Sequence, residues 1–345
     1  MRVLHVISEM GSGGAETLVA GMVTAGDEYG WTSAVASGGG HRADALRAAG
    51  VPTYDVPVAR RSATGVVRAA AATTMAVHRF RPDVVLAHNV SASVVARLTG
   101  RRPLVTVFHG VADADYPGAA RILRRTSRTV VTVAAATADR LRAAGLDSPV
   151  VIENAVFPQP RTATRVAVRA ALGIGDETPV ALCVARMEPQ KRHDVLLDAW
   201  SRVGGDAVLW LAGEGSLRAQ LIRQAARLDR VRFLGNRADV PDLLAAADVT
   251  VLTSDWEGMP VAVLESLAAG TPVVASDVDG VRGAVGGGGL VVPRRDPAAT
   301  AAALRTLLYD ADARAARTCG AKVRDHHALM ASYDDVLRAA SRERR

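Results

Sequence analysis

The chain has 345 residues, 49% of them hydrophobic, and a formal net charge of +7, a length that exceeds one ordinary core and suits two domains. No apolar run reaches the ~18 residues that suggest a transmembrane helix, and Met1 to Ile7 form a strand-like run into a Gly-rich loop rather than a signal peptide. Aromatic content of 4% argues against a base-stacking platform for nucleic acid. The two cysteines, Cys183 and Cys319, lack metal spacing and are expected to be buried thiols in a reducing, cytoplasmic setting. The charge is uneven: residues 1–165 hold 19 Arg, no Lys and 12 acids, whereas residues 166–345 balance. The only lysines are Lys191 and Lys322.

Apolar β-branched runs alternate with Ala/Leu/Arg helical stretches, a parallel α/β pattern. The strand candidates of the first half are Arg2–Ile7, Thr32–Ala36, Pro52–Val56, Val84–Ala87, Leu104–Phe108, Thr129–Val133 and Val150–Ile152. Those of the second half are Val180–Val184, Ala207–Leu211, Val231–Leu234, Val249–Thr253, Thr271–Ala275 and Leu290–Val292. Two doubly wound, Rossmann-like sheets follow, joined by a linker over Pro158 to Arg165, and the final stretch from Asp325 reads as one helix.

Several positions on this frame carry chemistry. The first strand runs into Gly11-Ser12-Gly13-Gly14-Ala15-Glu16, a ligand-facing place in a doubly wound sheet. It is not a dinucleotide fingerprint, because Glu16 stands where a third glycine is required. His88-Asn89 and His109-Gly110 end the fourth and fifth strands, where crevices form. Asp113-x-Asp115, Asp277-x-Asp279 and Asp310-x-Asp312 are three matches to an acidic pair that chance explains, so no metal is expected to be required. Arg121, Arg124, Arg125 and Arg128 recur at helical spacing, which leaves open a solvated face or a surface for anionic headgroups or a phosphorylated acceptor.

In the second half, Arg186 and the scarce Lys191 leave a strand together, a pairing that would neutralise a diphosphate. Gly213-Glu214-Gly215 and Arg232-Phe233-Leu234-Gly235 follow the next two strands. The densest stretch is Ser254 to Gly270. Pro260 suits a first helical position, Val261, Leu264, Leu267 and Ala268 make an apolar face, and Gly270 fits just past the C-terminus. Glu257 then lies on the loop after a strand, and Glu265 about one and a half turns into the helix. Carboxylates so placed can accept from vicinal diols while the helix N-terminus holds phosphate; a loop charge and a solvated helix charge are the plainer alternative.

The stretch Glu257-Gly258-Met259-Pro260-Val261-Ala262-Val263-Leu264-Glu265, with Ser-Asp-Trp before it and Ala268 to Ser276 after it, resembles the E-x7-E signature of the retaining glycosyltransferase family 4. Gly13-Gly14, Phe108-His109-Gly110, Arg186…Lys191 and Phe233-Leu234-Gly235 match further family motifs in the same order, across nearly the full length. The resemblance implies a GT-B fold of two Rossmann-like domains facing across a cleft: residues 1–160 for the acceptor, with the helix 326–345 packed back on them, and 161–325 for the nucleotide-sugar donor.

It also implies roles. His109, Arg186, Lys191 and Glu257 would be catalytic, with Arg186 and Lys191 on the leaving diphosphate, Glu257 orienting the sugar and His109 at its reacting face. Gly13, Gly14, Gly213, Glu214, Arg232, Phe233, Leu234, Gly258, Met259, Pro260, Val261 and Glu265 would line the donor site, Glu265 on the ribose. His88, Asn89 and Asn154 would face the acceptor. The donor would be a UDP-sugar and the acceptor a lipid-linked, polysaccharide or natural-product hydroxyl. No cofactor beyond the nucleotide sugar is expected. A nucleotide-sugar epimerase, a phosphorolytic enzyme and a non-enzymatic scaffold on the same fold are the rivals, and the retained Arg186, Lys191, Glu257 and Glu265 argue against the scaffold. The chain departs from the pattern at Ala185 and Arg192, where the family has glycines, and at Gly283, where it has Glu, so that the contact of this Glu is either missing or made by Asp279.

Overall fold

The computed structural model of the protein describes residues 1–58, 63–100, 102–321 and 324–342, with the backbone alone at residue 63. The described chain forms two compact units, one of Met1–Ala155 with Asp325–Arg345, the other of Val156–Arg324.

The first unit is a seven-stranded sheet. Its strands are β1 (Arg2–Val6), β2 (Thr32–Ser37), β3 (Thr53–Asp55), β4 (Val84–Ala87), β5 (Leu104–Phe108), β6 (Thr129–Thr132) and β7 (Val150–Val151). They lie in the order β3-β2-β1-β4-β5-β6-β7, and every pair is parallel. Continuous apolar runs fit such a sheet because helices cover both faces. Leu4 and Val6 of β1 pack with Val77 and Phe80 of the helix Ala63–Phe80 on one face, while Val35 of β2 meets Val19 and Val23 of the helix Gly14–Ala25 on the other. The last helix, His326–Arg342, belongs to this unit: Leu329, Met330, Tyr333 and Leu337 are buried, and Asp334 accepts from the Trp31 indole at 2.7 Å. Of the helix expected over 326–345, residues 343–345 lie outside the described residues.

The second unit is a six-stranded parallel sheet of β8 (Val180–Val184), β9 (Val208–Ala212), β10 (Val231–Gly235), β11 (Val249–Leu252), β12 (Val273–Ser276) and β13 (Gly289–Val292), in the order β10-β9-β8-β11-β12-β13. Leu209 and Leu211 face one core with Leu196, Trp200 and Leu304, and Trp210 faces the other with Leu243 and Leu244. Buried Arg169 ties this unit's first helix to the sheet, donating to the Ala246 carbonyl and pairing with Asp248 at 2.8 Å.

All thirteen strands thus fall within two residues of their sequence positions at each end. Four local readings need correction. Pro260 is the N-cap of the helix Val261–Ala268 rather than its first residue. The buried face of that helix takes in Val263, and Ala268 is exposed. Arg128 lies beyond the end of the helix Tyr116–Thr126, so the arginine stripe has three helical members, Arg121, Arg124 and Arg125, all exposed. Cys183 is buried, but Cys319 is exposed, because it sits on a helix that buries none of its residues.

Candidate functional site

In each unit the strand order reverses direction between two neighbours, β1 and β4 in the first, β8 and β11 in the second. Helices leave such neighbours in opposite directions, and the gap at their carboxyl ends is where doubly wound sheets bind ligands.

In the second unit β8 runs into Ala185, the exposed Arg186 and buried Met187. A short turn, Pro189–Lys191, follows, and Arg192 takes a left-handed conformation, φ 48°, before the helix His193–Trp200. That conformation explains why a glycine is the resembled residue there. β11 runs into Thr253, whose hydroxyl donates to the carbonyls of Lys191 and Arg192 at 3.1 and 3.0 Å. The two loops are further laced by Asp255 N–H to the Gln190 carbonyl, 2.8 Å, and by the Gln190 amide to the Trp256 carbonyl, 2.7 Å. The result brings Lys191 Nζ to 2.5 Å from Glu257 Oε1, with side-chain exposures of 16% and 8%. A cation and a carboxylate 66 positions apart thereby meet in a largely desolvated place at the strand ends.

Around this pair the backbone is close-packed. Gly213 has φ 142°, and a Cβ there would lie 2.1 Å from the Ala185 carbonyl oxygen, so the turn after β9 rests on the turn after β8. Gly280, φ 73°, meets the Gly258 carbonyl in the same way. Met187 N–H donates to the Glu214 carbonyl at 2.8 Å, and the Glu214 side chain pairs with Arg218 at 3.1 Å. Glu188 accepts from the Ser216 hydroxyl and amide, which hold its carboxyl below the usual range, with the Arg186 charge a lesser contribution.

Gly258, Met259, Pro260 and Val261 are buried at the start of the helix that carries Glu265. Glu265 accepts from the amide of Gln159 at 3.3 Å. Of the β10 residues, Phe233 packs against one core and Leu234 against the other, and the Arg232 guanidinium donates to the Leu172 carbonyl. Gly283 stands 3.9 Å, measured from an ideal Cβ, from the Met259 terminal methyl.

In the first unit the corresponding gap gathers imidazoles. His5 lies on β1, and His88 and His109 follow β4 and β5. His5 Nδ1 and His88 Nε2 are 3.1 Å apart, the His5 and His88 rings stack at 5.3 Å, and His88 and His109 stack at 6.3 Å. Burial pushes His5 down to about 3 and His109 down to about 4. Burial, with the charges of His5 and His109 adding, holds His88 well below its usual value. All three are neutral at pH 7. His5 Nε2, His88 Nδ1 and His109 Nε2 are shielded and have no hydrogen-bond partner among the described residues.

Asn89 caps the helix Val90–Arg97, accepting from Ala92 N–H at 2.7 Å, and its amide donates to the Ser8 hydroxyl at 2.9 Å. Gly13 is the N-cap of the helix Gly14–Ala25, with the Glu16 carboxylate folded over it. Asn154 is buried just after β7. Of the acidic pairs, Asp113 engages Arg140, Asp277 engages Arg282, and Asp310 caps a helix. Among the described residues the one cluster of three metal-type ligands is Asp325, His326 and His327 at the start of the last helix.

Sequence reasoning missed His5, whose signal was a lone imidazole in an apolar strand. It also passed over Asp255, Gln190 and Gln159, which carry no signal without the contacts above.

Comparison with known proteins agrees with this geometry. Residues 12–159 match the model of Glycosyltransferase Family 4, and residues 178–310 that of Glycosyl transferases group 1. A D-inositol 3-phosphate glycosyltransferase of Kineococcus radiotolerans is 32% identical over 66% of this chain and 64% of its own length, so the chain spans less than two thirds of that relative. A glycogen synthase of Mycobacterium tuberculosis is 30% identical over 77% of this chain and 71% of its own. Among solved structures, Anabaena HepE in complex with UDP and glucose superposes with a TM-score of 0.84, at 22% identity, covering 98% of this chain and 100% of that one, a likeness of fold alone. Two Rossmann-like sheets, with the motifs at their strand ends and the matches over both halves, place this chain in glycosyltransferase family 4, the group 1 glycosyltransferases of the GT-B fold.

Proposed function

We propose that the chain moves a sugar, with retention of anomeric configuration, from a nucleoside diphosphate sugar to an acceptor hydroxyl. The second unit would bind the donor and the first the acceptor. The observation that carries this reading is the Lys191–Glu257 contact at the β8/β11 gap, on the loop that also carries the exposed Arg186. A lysine already held by a carboxylate is aimed and little screened by water, so that its ammonium, partly offset by Glu257, can turn to a departing diphosphate with little reorganisation. Glu257 keeps acceptor capacity for sugar hydroxyls, and the amides from Gly258 onward open a helix N-terminus to phosphate. Glu265 would trade its bond to Gln159 for ribose hydroxyls. His109, neutral at pH 7, accepts or donates a hydrogen bond without adding a further cation to Arg186 and Lys191.

Catalysis in this scheme is positioning plus charge stabilisation, the departing phosphate taking the proton of the incoming hydroxyl in a front-face displacement. UDP in the HepE complex supports uridine diphosphate as the donor nucleotide. The acceptor class is proposed from charge. The exposed Arg121, Arg124, Arg125 and Arg128 suit a phosphorylated or lipid-borne acceptor at an anionic surface. No helix among the described residues is long and apolar enough to cross a membrane.

The test is a mass-resolved screen of nucleotide sugars with the purified chain, reading sugar on an acceptor and its anomeric configuration by NMR. Arg186→Ala should lower turnover on the order of 10²-fold, and a loss within about threefold would remove the charge-stabilisation role. Donor epimerisation without transfer, or phosphorolysis, would replace the reading. Salt-sensitive sedimentation with anionic vesicles tests the arginine face, and its absence sinks the membrane part.

A further inference from the structure

Three arginines of the second unit hold left-handed backbones: Arg230, φ 59°, just before β10, and at the carboxyl ends of strands Arg192 after β8 and Arg295 after β13, at φ 48° and 60°. Left-handed geometry costs free energy for any residue with a Cβ and none for glycine. The side chains of Arg192 and Arg295 converge on one carboxylate, Asp255, after β11. Arg295 grips it with two bonds, Nε to Oδ1 at 2.7 Å and a terminal nitrogen to Oδ2 at 2.8 Å. Arg192 reaches Oδ2 at 3.2 Å while its other edge holds Asp194 at 2.8 Å, and Arg294 donates to the Asp255 carbonyl at 2.9 Å. The Asp255 side chain is 16% exposed, against 58% for Arg295.

We propose that Arg192, Arg295 and Asp255 form a clamp whose task is to position the Asp255–Met259 backbone, and through it Glu257 and Lys191, before any ligand arrives. The inference rests on the donor-site reading above. The Arg295 pair, with one exposed partner, adds little to stability, and both pairs are held on left-handed arginines whose backbone cost offsets part of what they contribute. What they fix is geometry. Asp255 stands two residues before Glu257, and its N–H and the Trp256 carbonyl are bonded to Gln190, the neighbour of Lys191. Three loops, from β8, β11 and β13, are thus set in one register by a single carboxylate. The hydrogen bonds from Arg295 first and then Arg192, with the charges of both arginines adding and burial opposing, hold that carboxyl below its usual range, so the clamp stays closed through neutral and mildly acid pH.

The experiment uses Arg192→Gly, Arg295→Gly and Arg295→Lys in the full chain. Glycine fits the left-handed backbone, so the first two remove the side chain without straining the turn. Expected are melting temperatures within a few degrees of the parent, kcat lower by about tenfold or more, a smaller change in donor KM, and faster amide exchange at residues 256–259 in nucleotide-free protein. Arg295→Lys, which keeps the charge but not the two-point grip, should recover part of kcat. Exchange and kcat both within twofold of the parent in both glycine variants would overturn the clamp, as would a fall in melting temperature with kcat and exchange unchanged. Should the parent transfer no sugar, the proposed function fails, while the exchange of residues 256–259 still decides the clamp.

Discussion

Replacing Lys191 by Met tests the central contact. The pair is 2.5 Å apart, with exposures of 16% and 8%. Removing one partner of a buried pair costs about 3–5 kcal/mol, because a charge is left without compensation. Partial water access at the lysine lowers the expectation to about 2–3 kcal/mol for Lys191→Met. Glu257→Gln should cost about 1–2 kcal/mol, since the lysine stem can swing its ammonium toward water. The double variant leaves no charge at all and should cost about 1–3 kcal/mol, less than the sum of the singles by a coupling of about 2 kcal/mol. Urea unfolding followed by tryptophan fluorescence suits this measurement, because Trp200, Trp210 and Trp256 report on the second unit and Trp31 alone on the first. Single-variant effects that add within about 0.5 kcal/mol would refute the pairing. Activity does not discriminate here, because all three variants remove proposed catalytic groups.

Acid should weaken the first unit. His5, His88 and His109 are kept neutral in the fold by burial, whereas the unfolded chain takes up protons near pH 6.5. Their contribution is complete above that pH and falls by about 1.4 kcal/mol per pH unit per histidine below it, until pH nears 4 for His109 and 3 for His5; a urea midpoint of this unit that stays flat between pH 7 and 5 would exclude the effect. Gly280→Ala must adopt a left-handed backbone against the Gly258 carbonyl; it should lose at least about 1 kcal/mol and weaken UDP binding, and calorimetric titration with unchanged affinity would show that the two loops are independent. Asp334→Ala strips the acceptor from the buried Trp31 indole and leaves Arg338 with the Tyr29 carbonyl; an unpaired buried donor costs about 1–3 kcal/mol, so the thermal transition of the first unit should fall, and an unchanged transition would deny the last helix its anchoring role.

Much of this molecule was legible from residue order. Thirteen strands could be placed because parallel strands covered on both faces are apolar at every position, and a run of Val, Leu and Ala carries that requirement openly. The positions of Arg186, Lys191, Glu257 and the paired His88 and His109 were legible for a related reason: in alternating β and α segments the residues just after a strand must stand at one edge of the sheet. Errors fell where one residue decides a boundary. Arg128 obeys helical spacing yet lies past the helix end, and Cys319 reads as a small apolar residue yet sits on a helix with no buried side.

Only the tertiary structure decided which of the edge residues meet. Strand order is a long-range property, and it puts β8 beside β11, so that Lys191 touches Glu257 and Asp255 receives arginines from two other loops. The same holds for His5, invisible as a site residue until β1 lay against β4 and brought its ring to His88. Local sequence sets what each segment becomes, because propensity and burial act over a few residues. Which side chains share a charge or a proton depends on contacts between segments 63 to 83 positions apart, and those exist only in the folded sheet.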